Sequence, residues 1–404
     1  LHLKKGRLLY RGNGFDETIS NFGAPIRNPF SIDAFDDYYR TRRLDNELQA
    51  AFRLGNWQLD GVSSFKIFHR LKNTYRKDLN TLEENLTPDP TDQDTTRFDL
   101  FLSRGTAAWL PANKPFKLQL GYETSFETSQ GDRIDAGNRT QGDYAGFGNF
   151  EYSPTRGLDM RAGVRWGYNT AYDMPIAPAF HLKYKFHPDW VVRASYARGF
   201  RAPSLREQYL FFVDINHNIQ GNSDLLAETS HSFNGSLQYR KLLSNAVLRL
   251  SAHGFFNHVD NLITLAMVDP ETLLYTYTNI GERETFGGRL EAIYRHERLN
   301  VQVGGTYNGI SNQLTISSAP QFSFSPEARA TVQYRIPVLE TQISAFYKYN
   351  GRVPQFLETD ENTLQEGYIE AFHTIDLTLS RSFWQNRLRF DLGARNLANV
   401  QNIN

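Results

Sequence analysis

The chain has 404 residues, of which 40% are hydrophobic, 14% are aromatic and none is cysteine. Basic and acidic residues number 44 each, so the net charge is zero, which argues against the bulk positive charge that nucleic-acid binding needs. Without cysteine there can be no disulfide, thiolate catalysis or cysteine-based metal site, and no apolar run approaches the roughly 18 residues of a membrane-spanning helix.

The dominant pattern along the chain is an alternation of apolar and polar residues over segments of about ten residues. In the clearest hairpin, Phe180, Leu182 and Tyr184 alternate with basic residues, a turn follows at 187–189, and Trp190 opens a second alternating segment. Because successive side chains of a strand point to opposite faces, each segment predicts a strand with one apolar face. Other alternating segments are 248–254, 289–295 and 387–395.

The predicted connections alternate between short and long. The short ones are 55–56, 111–114, 153–157, 187–189, 243–245, 297–298, 337–338 and 384–386. The long ones are 12–44, 74–93, 129–141, 169–175, 201–227, 259–280, 311–324 and 351–367. Outer-membrane barrels have short periplasmic turns and long extracellular loops. The pattern therefore predicts an all-β fold, an antiparallel transmembrane β-barrel of which about 17 strands are present.

The charged faces of these strands are predicted to line the interior of the barrel. A lysine or arginine on the lipid face at the middle of the bilayer costs about 2–4 kcal/mol. Four of the five tryptophans, Trp57, Trp109, Trp190 and Trp384, lie within two residues of a short turn. Since tryptophan prefers the membrane interface, we interpret them as a periplasmic aromatic girdle, although core tryptophans also occur at strand ends.

Seventeen is an odd number, whereas bacterial barrels normally have an even number of strands. The first residues, 1–7, lack the apolar stretch of a signal peptide and are typical of a strand. The last predicted strand, 387–396, runs outward with no strand after it. We therefore expect the chain to be one part of a larger barrel.

The most specific motifs lie in the long connection after the strand at 189–200. Residues 200–203 read Phe-Arg-Ala-Pro and resemble a box of TonB-dependent outer-membrane receptors, especially those of Bacteroidota. Residues 222–225 resemble the downstream Asn-Pro-Asp-Leu box, with Ser223 in place of proline. Residues 393–397 resemble the family's penultimate strand, where Ala398-Asn399 replaces Phe-Asp. The matching motif residues are Phe200, Arg201, Ala202, Pro203, Asn222, Asp224 and Leu225.

This resemblance implies a 22-stranded barrel with an N-terminal plug, of which residues 1–404 would form about strands 5 to 21, without the plug. It implies a receptor in the outer membrane of a Gram-negative bacterium that takes up a scarce nutrient (haem, a ferric siderophore or cobalamin) with energy from TonB. The expected partners are outer-membrane lipid, the TonB complex through the plug and a surface lipoprotein that captures the ligand. Neither catalysis nor a tightly bound cofactor is expected, beyond the transported haem, iron-siderophore or cobalamin.

By the same resemblance, the 201–227 connection would be the seventh extracellular loop. Haem receptors of the family have a histidine between the two boxes that is thought to ligate the haem iron, and the matching residue is His217. Neutral imidazole is a good iron ligand, although an Asn-His-Asn run is often only a turn. Tyr209, Phe211 and Phe212 could stack on a porphyrin. Arg201 would either pair with an anionic ligand or fix the backbone where the strand ends and the loop begins.

A passive porin-like channel or a barrel enzyme would show the same alternation. Porins lack the two boxes of the 201–227 connection. A barrel enzyme should carry acidic and Ser/His pairs that converge at the rim, and no such group stands out in the sequence. We therefore expect a receptor, and the sequence alone leaves its substrate open.

Overall fold

The computed structural model describes residues 2–3, 5–89, 92–135, 137–213, 218–269, 271–311, 321–358, 364–385 and 387–401. Within this part of the chain, seventeen strands have seven or more residues, and each pairs antiparallel with the next. They are β1 (Gly6–Asn21), β2 (Ile32–Leu54), β3 (Trp57–Asp78), β4 (Asp94–Trp109), β5 (Phe116–Gly131), β6 (Asn138–Thr155), β7 (Leu158–Asn169), β8 (Ala177–His187), β9 (Trp190–Arg201), β10 (Glu228–Leu242), β11 (Ala246–Asp269), β12 (Leu274–His296), β13 (Leu299–Ser311), β14 (Phe322–Ile336), β15 (Thr341–Asn350), β16 (Phe372–Phe383) and β17 (Leu388–Ala394).

Shorter elements lie in the connections. The short strands are His2–Leu3, Ile26–Arg27, Glu84–Leu86, Phe211–Val213, Asn218–Gln220, Val353–Glu358 and Leu364–Ile369. A single helix turn, α1 (Leu205–Tyr209), follows β9, and a 3₁₀ turn, Pro337–Leu339, joins β14 to β15. None of the helices in the described residues is long and apolar enough to cross a bilayer. The predicted all-β antiparallel barrel fold is confirmed, including the seventeen strands. The predicted alternation of short and long connections holds only in part, because residues 270–273 join β11 to β12 and the connections before and after β5, 110–115 and 132–137, have equal lengths.

The two faces of the sheet differ as the alternation predicts. Phe180, Leu182 and Tyr184 of β8 lie on the outer face and are exposed. On the opposite face, the Glu151 carboxylate accepts from the Lys117 ammonium at 2.5 Å and from the Arg161 guanidinium at 2.7 Å. These ion pairs cross neighbouring strands, so the polar face is held together by charges while the apolar face is left for lipid.

The four tryptophans near the short turns lie at that end of the sheet, as predicted. Trp57 is the first residue of β3 and lies directly opposite Trp109, the last residue of β4. The Trp190 ring packs against Tyr239, with the ring centres 4.8 Å apart. Trp384, in the turn between β16 and β17, is 75% exposed. Together they place aromatic rings at the short-turn boundary of the wall.

The predicted bounds of two long connections are wrong. The connections predicted at 12–44 and 259–280 are mostly strand, because β1 runs to Asn21, β2 starts at Ile32, β11 runs to Asp269 and β12 starts at Leu274. A strand needs only about 9–11 residues to cross a bilayer. Beyond the bilayer both faces of the sheet meet water, so the backbone ladder continues without alternation, and the sequence there looks like a loop.

Candidate functional site

The motif residues 200–203 end strand β9 and start helix α1. Proline has no backbone N–H to donate to a strand ladder, so Pro203 cannot continue the pairing of β9 along the wall. Ser204 then caps the helix: its hydroxyl accepts from the Glu207 N–H at 3.3 Å, while the Glu207 carboxylate accepts from the Ser204 N–H at 2.8 Å. This reciprocal pair is a capping box, which stabilises a helix turn too short to persist alone.

Arg201 ties the two ends of the connection together. Its guanidinium donates to both oxygens of Glu228, the first residue of β10, at 2.6 and 2.8 Å. It also donates to the Glu207 carboxylate at 2.8 and 3.1 Å. The two carboxylates are largely buried, at 12% and 17% exposed, so the guanidinium neutralises charges that water screens poorly. The ligand-binding role of Arg201 stays a prediction.

The charge of Glu207 is stabilised by its surroundings. Burial alone would raise the pKa of this carboxyl, but the Arg201 guanidinium and the N–H and hydroxyl of Ser204 outweigh it. Together they hold the pKa of Glu207 below its ordinary value. The carboxylate is therefore ionised at neutral pH and keeps both the helix cap and the ion pair.

Buried amides attach α1 to the neighbouring strands. Gln208 is 4% exposed, and its amide donates to the Gln141 side chain of β6 at 3.0 Å and to the Pro203 carbonyl at 3.1 Å. The Gln141 amide donates to the same carbonyl at 3.1 Å. The Tyr172 hydroxyl, from the β7–β8 connection, donates to the Gln208 carbonyl oxygen at 3.1 Å. Burial raises the pKa of the Tyr172 phenol, so this hydroxyl stays a donor at neutral pH.

Backbone hydrogen bonds fasten the connection on two sides. On one side, the Tyr209 carbonyl accepts from the Asp135 N–H at 2.9 Å, and the Arg133 carbonyl accepts from the Phe211 N–H at 2.8 Å. On the other side, Asn218–Gln220 pairs in parallel with the start of β12. We call residues 202–227 the brace, because they link the β5–β6 connection to β12.

The second box shapes the return of the brace to the wall. The Asn222 side-chain oxygen accepts from the Asp224 N–H at 2.9 Å, and its amide donates to the Tyr277 carbonyl at 2.9 Å. Leu225 is buried at 2% exposure. Gly221 lies so close to the Gln208 backbone that an added Cβ would meet its carbonyl at 2.6 Å. The described motif residues thus build the brace.

A cleft of about 510 Å³ lies beside the brace. Tyr209 and Phe211 line it, and Phe211 is 47% exposed. The Arg139 guanidinium stacks on the Tyr209 ring at 4.3 Å. The remaining lining residues are Asp132, Ile134, Asp135, Gln208, Leu210, Gln220, Gly221 and Ser223. Aromatic faces beside carboxylates and amides suit a ligand that is flat in part and offers hydrogen-bond donors.

The structure brings only some of the predicted site residues together. Tyr209 and Phe211 share the cleft, whereas Arg201 lies in its ion pairs at the base of the brace. His217 and the Phe212 side chain lie outside what the structure describes. Sequence reasoning missed Glu207, although the Ser-x-x-Glu spacing signals a capping box. It also missed Gln141, whose distant position in the chain gives no local signal.

Comparison with known proteins identifies the family. A family model described as TonB dependent receptor-like, β-barrel, matches residues 4–397. The chain belongs to this family. The TonB-dependent receptor-like barrel is thus an outer-membrane β-barrel of a Gram-negative bacterium, as predicted. The likeness to Bacteroidota sequences and the missing plug stay predictions.

The relatives of this receptor-like barrel have names that concern iron. It is 30% identical over 156 residues to the iron-regulated outer membrane virulence protein of Vibrio cholerae, a match that covers 36% of this chain and 24% of that protein. It is 37% identical over 86 residues to a probable hemoglobin and hemoglobin-haptoglobin-binding protein of Haemophilus influenzae, covering 21% of this chain and 8% of that protein. The matches therefore span a quarter or less of these relatives.

Two solved structures share the fold of the receptor-like barrel. The siderophore receptor PirA of Acinetobacter baumannii superposes with a TM-score of 0.69 and 14% identity, covering 99% of this chain and 68% of that one. The ferric enterobactin receptor PfeA of Pseudomonas aeruginosa, in complex with enterobactin, gives 0.61 and 13%, covering 97% and 75%. At such identities the likeness concerns the fold alone.

Proposed function

We propose that the chain forms the barrel wall of a receptor that imports an iron complex, a ferric siderophore or haem, with energy from TonB. Family membership supports the receptor role, and the names of the relatives favour iron over cobalamin, the third substrate class that the sequence resemblance implied. The proposed role is binding and transport, and it includes no catalytic step. A surface lipoprotein that delivers the ligand belongs to the same proposal.

The observation that carries this proposal is the brace with its cleft. The brace is fastened to the β5–β6 connection on one side and to β12 on the other. Here buried amides, ion pairs and backbone hydrogen bonds hold Tyr209 and Phe211 beside a cavity. Rigidly held aromatic rings lose little entropy on binding, so they suit a recognition surface.

Growth assays test the substrate. A strain that lacks its own iron receptors and produces this protein should grow with one iron complex, haem or a ferric siderophore, as the sole iron source. Replacing both Tyr209 and Phe211 with alanine should slow this growth at limiting substrate. Tyr184→Ala, on the lipid face of β8, is the control. Equal growth of all strains, with or without the protein, would contradict the proposal.

Deleting TonB separates a receptor from a channel. An energised receptor loses uptake without TonB, whereas a passive channel keeps it. If haem is the substrate, His217→Ala should weaken haem binding and shift its Soret band, because an axial imidazole ligand is lost. Haem binding that is unchanged in this variant excludes His217 as the ligand.

A further inference from the structure

A second cluster of functional groups lies on the outer face of the wall, close to the end of the brace, where the Asn261 amide donates to the Ala227 carbonyl at 3.5 Å. His258 and Asp260 alternate along β11, and Glu282 and Glu284 alternate along β12. In the pairing of these strands, His258 lies opposite Glu284 and Asp260 lies opposite Glu282. All four side chains therefore share one face of the sheet.

The cluster lies at the edge of the membrane-facing surface. The next residues toward the short-turn end on the same face are Phe256 and Phe286, which lie opposite each other. Charges on the lipid face cost little near the interface but several kcal/mol at the middle of the bilayer. The aromatic pair and the cluster thus mark the level at which the wall leaves the lipid.

The distances within the cluster match a coordination sphere. His258 Nε2 lies 3.1 Å from Asp260 Oδ1. Ligand atoms of His258, Asp260 and Glu282 all lie within 4.8 Å of one another. Two ligands at about 2.0–2.1 Å from a tetrahedral zinc ion are roughly 3.3 Å apart. A small ion placed between these atoms would need only small side-chain movements.

Supporting contacts orient the candidate ligands. His258 Nδ1 lies 3.3 Å from a Glu284 oxygen, which leaves Nε2 to face Asp260. The Thr229 hydroxyl of β10 donates to Asp260 Oδ2 at 3.1 Å. A carboxylate on the second ring nitrogen is the usual way in which proteins set the tautomer of a metal-bound histidine.

The charge of the cluster also favours a cation. Asp260, Glu282 and Glu284 are three carboxylates around one imidazole. Even when the imidazole is protonated, these groups carry a net charge of about −2. A bound dication would offset this negative charge.

We propose that His258, Asp260 and Glu282 bind a divalent transition-metal ion of the zinc class, with Glu284 as the positioning residue for the imidazole. Mixed imidazole and carboxylate ligands suit zinc rather than calcium or magnesium. The ion would join β11 to β12 where the wall emerges from the lipid. The proposal is independent of the transported substrate.

Metal titration of the purified protein in detergent tests the site. Co²⁺ should give visible absorption bands, and Zn²⁺ should displace it with a stoichiometry of one ion per chain. His258→Ala and Asp260→Asn should each weaken Zn²⁺ binding at least tenfold. Glu284→Gln should weaken it by about 10–100-fold, because the His258 imidazole loses the carboxylate that orients it. The matched control is His253→Ala, which lies on the same strand but on the opposite face.

The outcomes distinguish a specific metal site from non-specific binding of Zn²⁺ by a histidine. Full affinity in His253→Ala together with loss in His258→Ala supports the proposal. Equal affinities in these two variants, or no Zn²⁺ binding by the parent protein below about 100 µM, overturns it. If His258→Ala does not fold, the isosteric pair Asp260→Asn and Glu284→Gln decides: unchanged binding in both overturns the site.

Discussion

The membrane wall and the brace keep their structure in different ways. The wall is stabilised by a continuous ladder of backbone hydrogen bonds and by many ion pairs, such as those of Glu151 with Lys117 and Arg161. The brace depends on a few polar groups, above all the half-exposed Arg201 guanidinium at its base and the buried Gln208 amide. We therefore expect a substitution in the wall to act mainly through the contact of the new side chain with lipid. A substitution in the brace should act through the hydrogen bonds and ion pairs that it removes.

The largest effect is expected from a charge on the lipid face. Leu182 lies in the middle of β8 on the outer face, and Leu182→Arg should destabilise the folded barrel by about 2–4 kcal/mol because the guanidinium enters hydrocarbon. Urea unfolding in lipid vesicles measures this difference. The control, His181→Arg on the polar face, should change stability by less than about 1 kcal/mol. Similar losses in both variants would contradict the face assignment.

A smaller, local effect is expected at the base of the brace. Arg201→Ala leaves the Glu207 and Glu228 carboxylates without their shared guanidinium. Because the guanidinium is 44% exposed, solvent screening limits the cost to about 1–2 kcal/mol. Limited proteolysis should show faster cleavage within 202–227 and unchanged cleavage of the wall. Arg206→Ala, an exposed residue of the same helix, should cleave at the parent rate.

Tyr172→Phe tests a single hydrogen bond of the brace. It removes the hydroxyl that donates to the buried Gln208 side chain, which should cost about 1 kcal/mol. Hydrogen exchange at the amides of residues 205–209 should rise several-fold. Tyr168→Phe, an exposed residue at the end of β7, is the control. Unchanged exchange in Tyr172→Phe would mean that this bond adds nothing to the docking of α1.

The smallest of the expected effects is a local destabilisation of the brace by acid. The folded-state pKa of Glu207 is depressed, so its contribution is present above the ordinary carboxyl pKa of about 4.3 and is lost as the pH falls through the folded value. Pepsin cleavage within 202–227 should therefore rise below about pH 4, while the hydrogen-exchange protection factors there, corrected for the intrinsic pH dependence of exchange, stay constant between pH 5 and 8. In Glu207→Gln the acid step should shrink. An equal acid step in this variant would assign the change to another group.

The wall was more predictable from sequence than the brace. Alternation and turn residues located the seventeen strands, because a bilayer forces each strand to sort its side chains by face. Beyond the lipid, side chains are no longer sorted by face. This explains why the sequences of residues 12–44 and 259–280 resembled loops, although both ranges are mostly strand.

The site depends on contacts that the sequence does not bring together. The capping box of Ser204 and Glu207 can be recognised from spacing, but the meeting of Gln208 with Gln141 depends on how the brace crosses neighbouring strands. The cluster at His258 depends in the same way on the register between β11 and β12. Such pairings follow from the completed sheet, since no local rule fixes them.

The uneven height of the wall has a consequence for large molecules at the cell surface. β11 and β12 have 24 and 23 residues, whereas β7, β8 and β9 have 12, 11 and 12. At about 3.3 Å per residue, the strands of this tall hairpin are each some 35–40 Å longer than β7, β8 and β9. The wall is equally tall at β2 and β3, which have 23 and 22 residues. A large molecule approaching from above, such as an antibody or a phage tail fibre, would meet these two tall regions first. Above the low strands it would meet the brace instead, which is fastened to the β5–β6 connection and to β12.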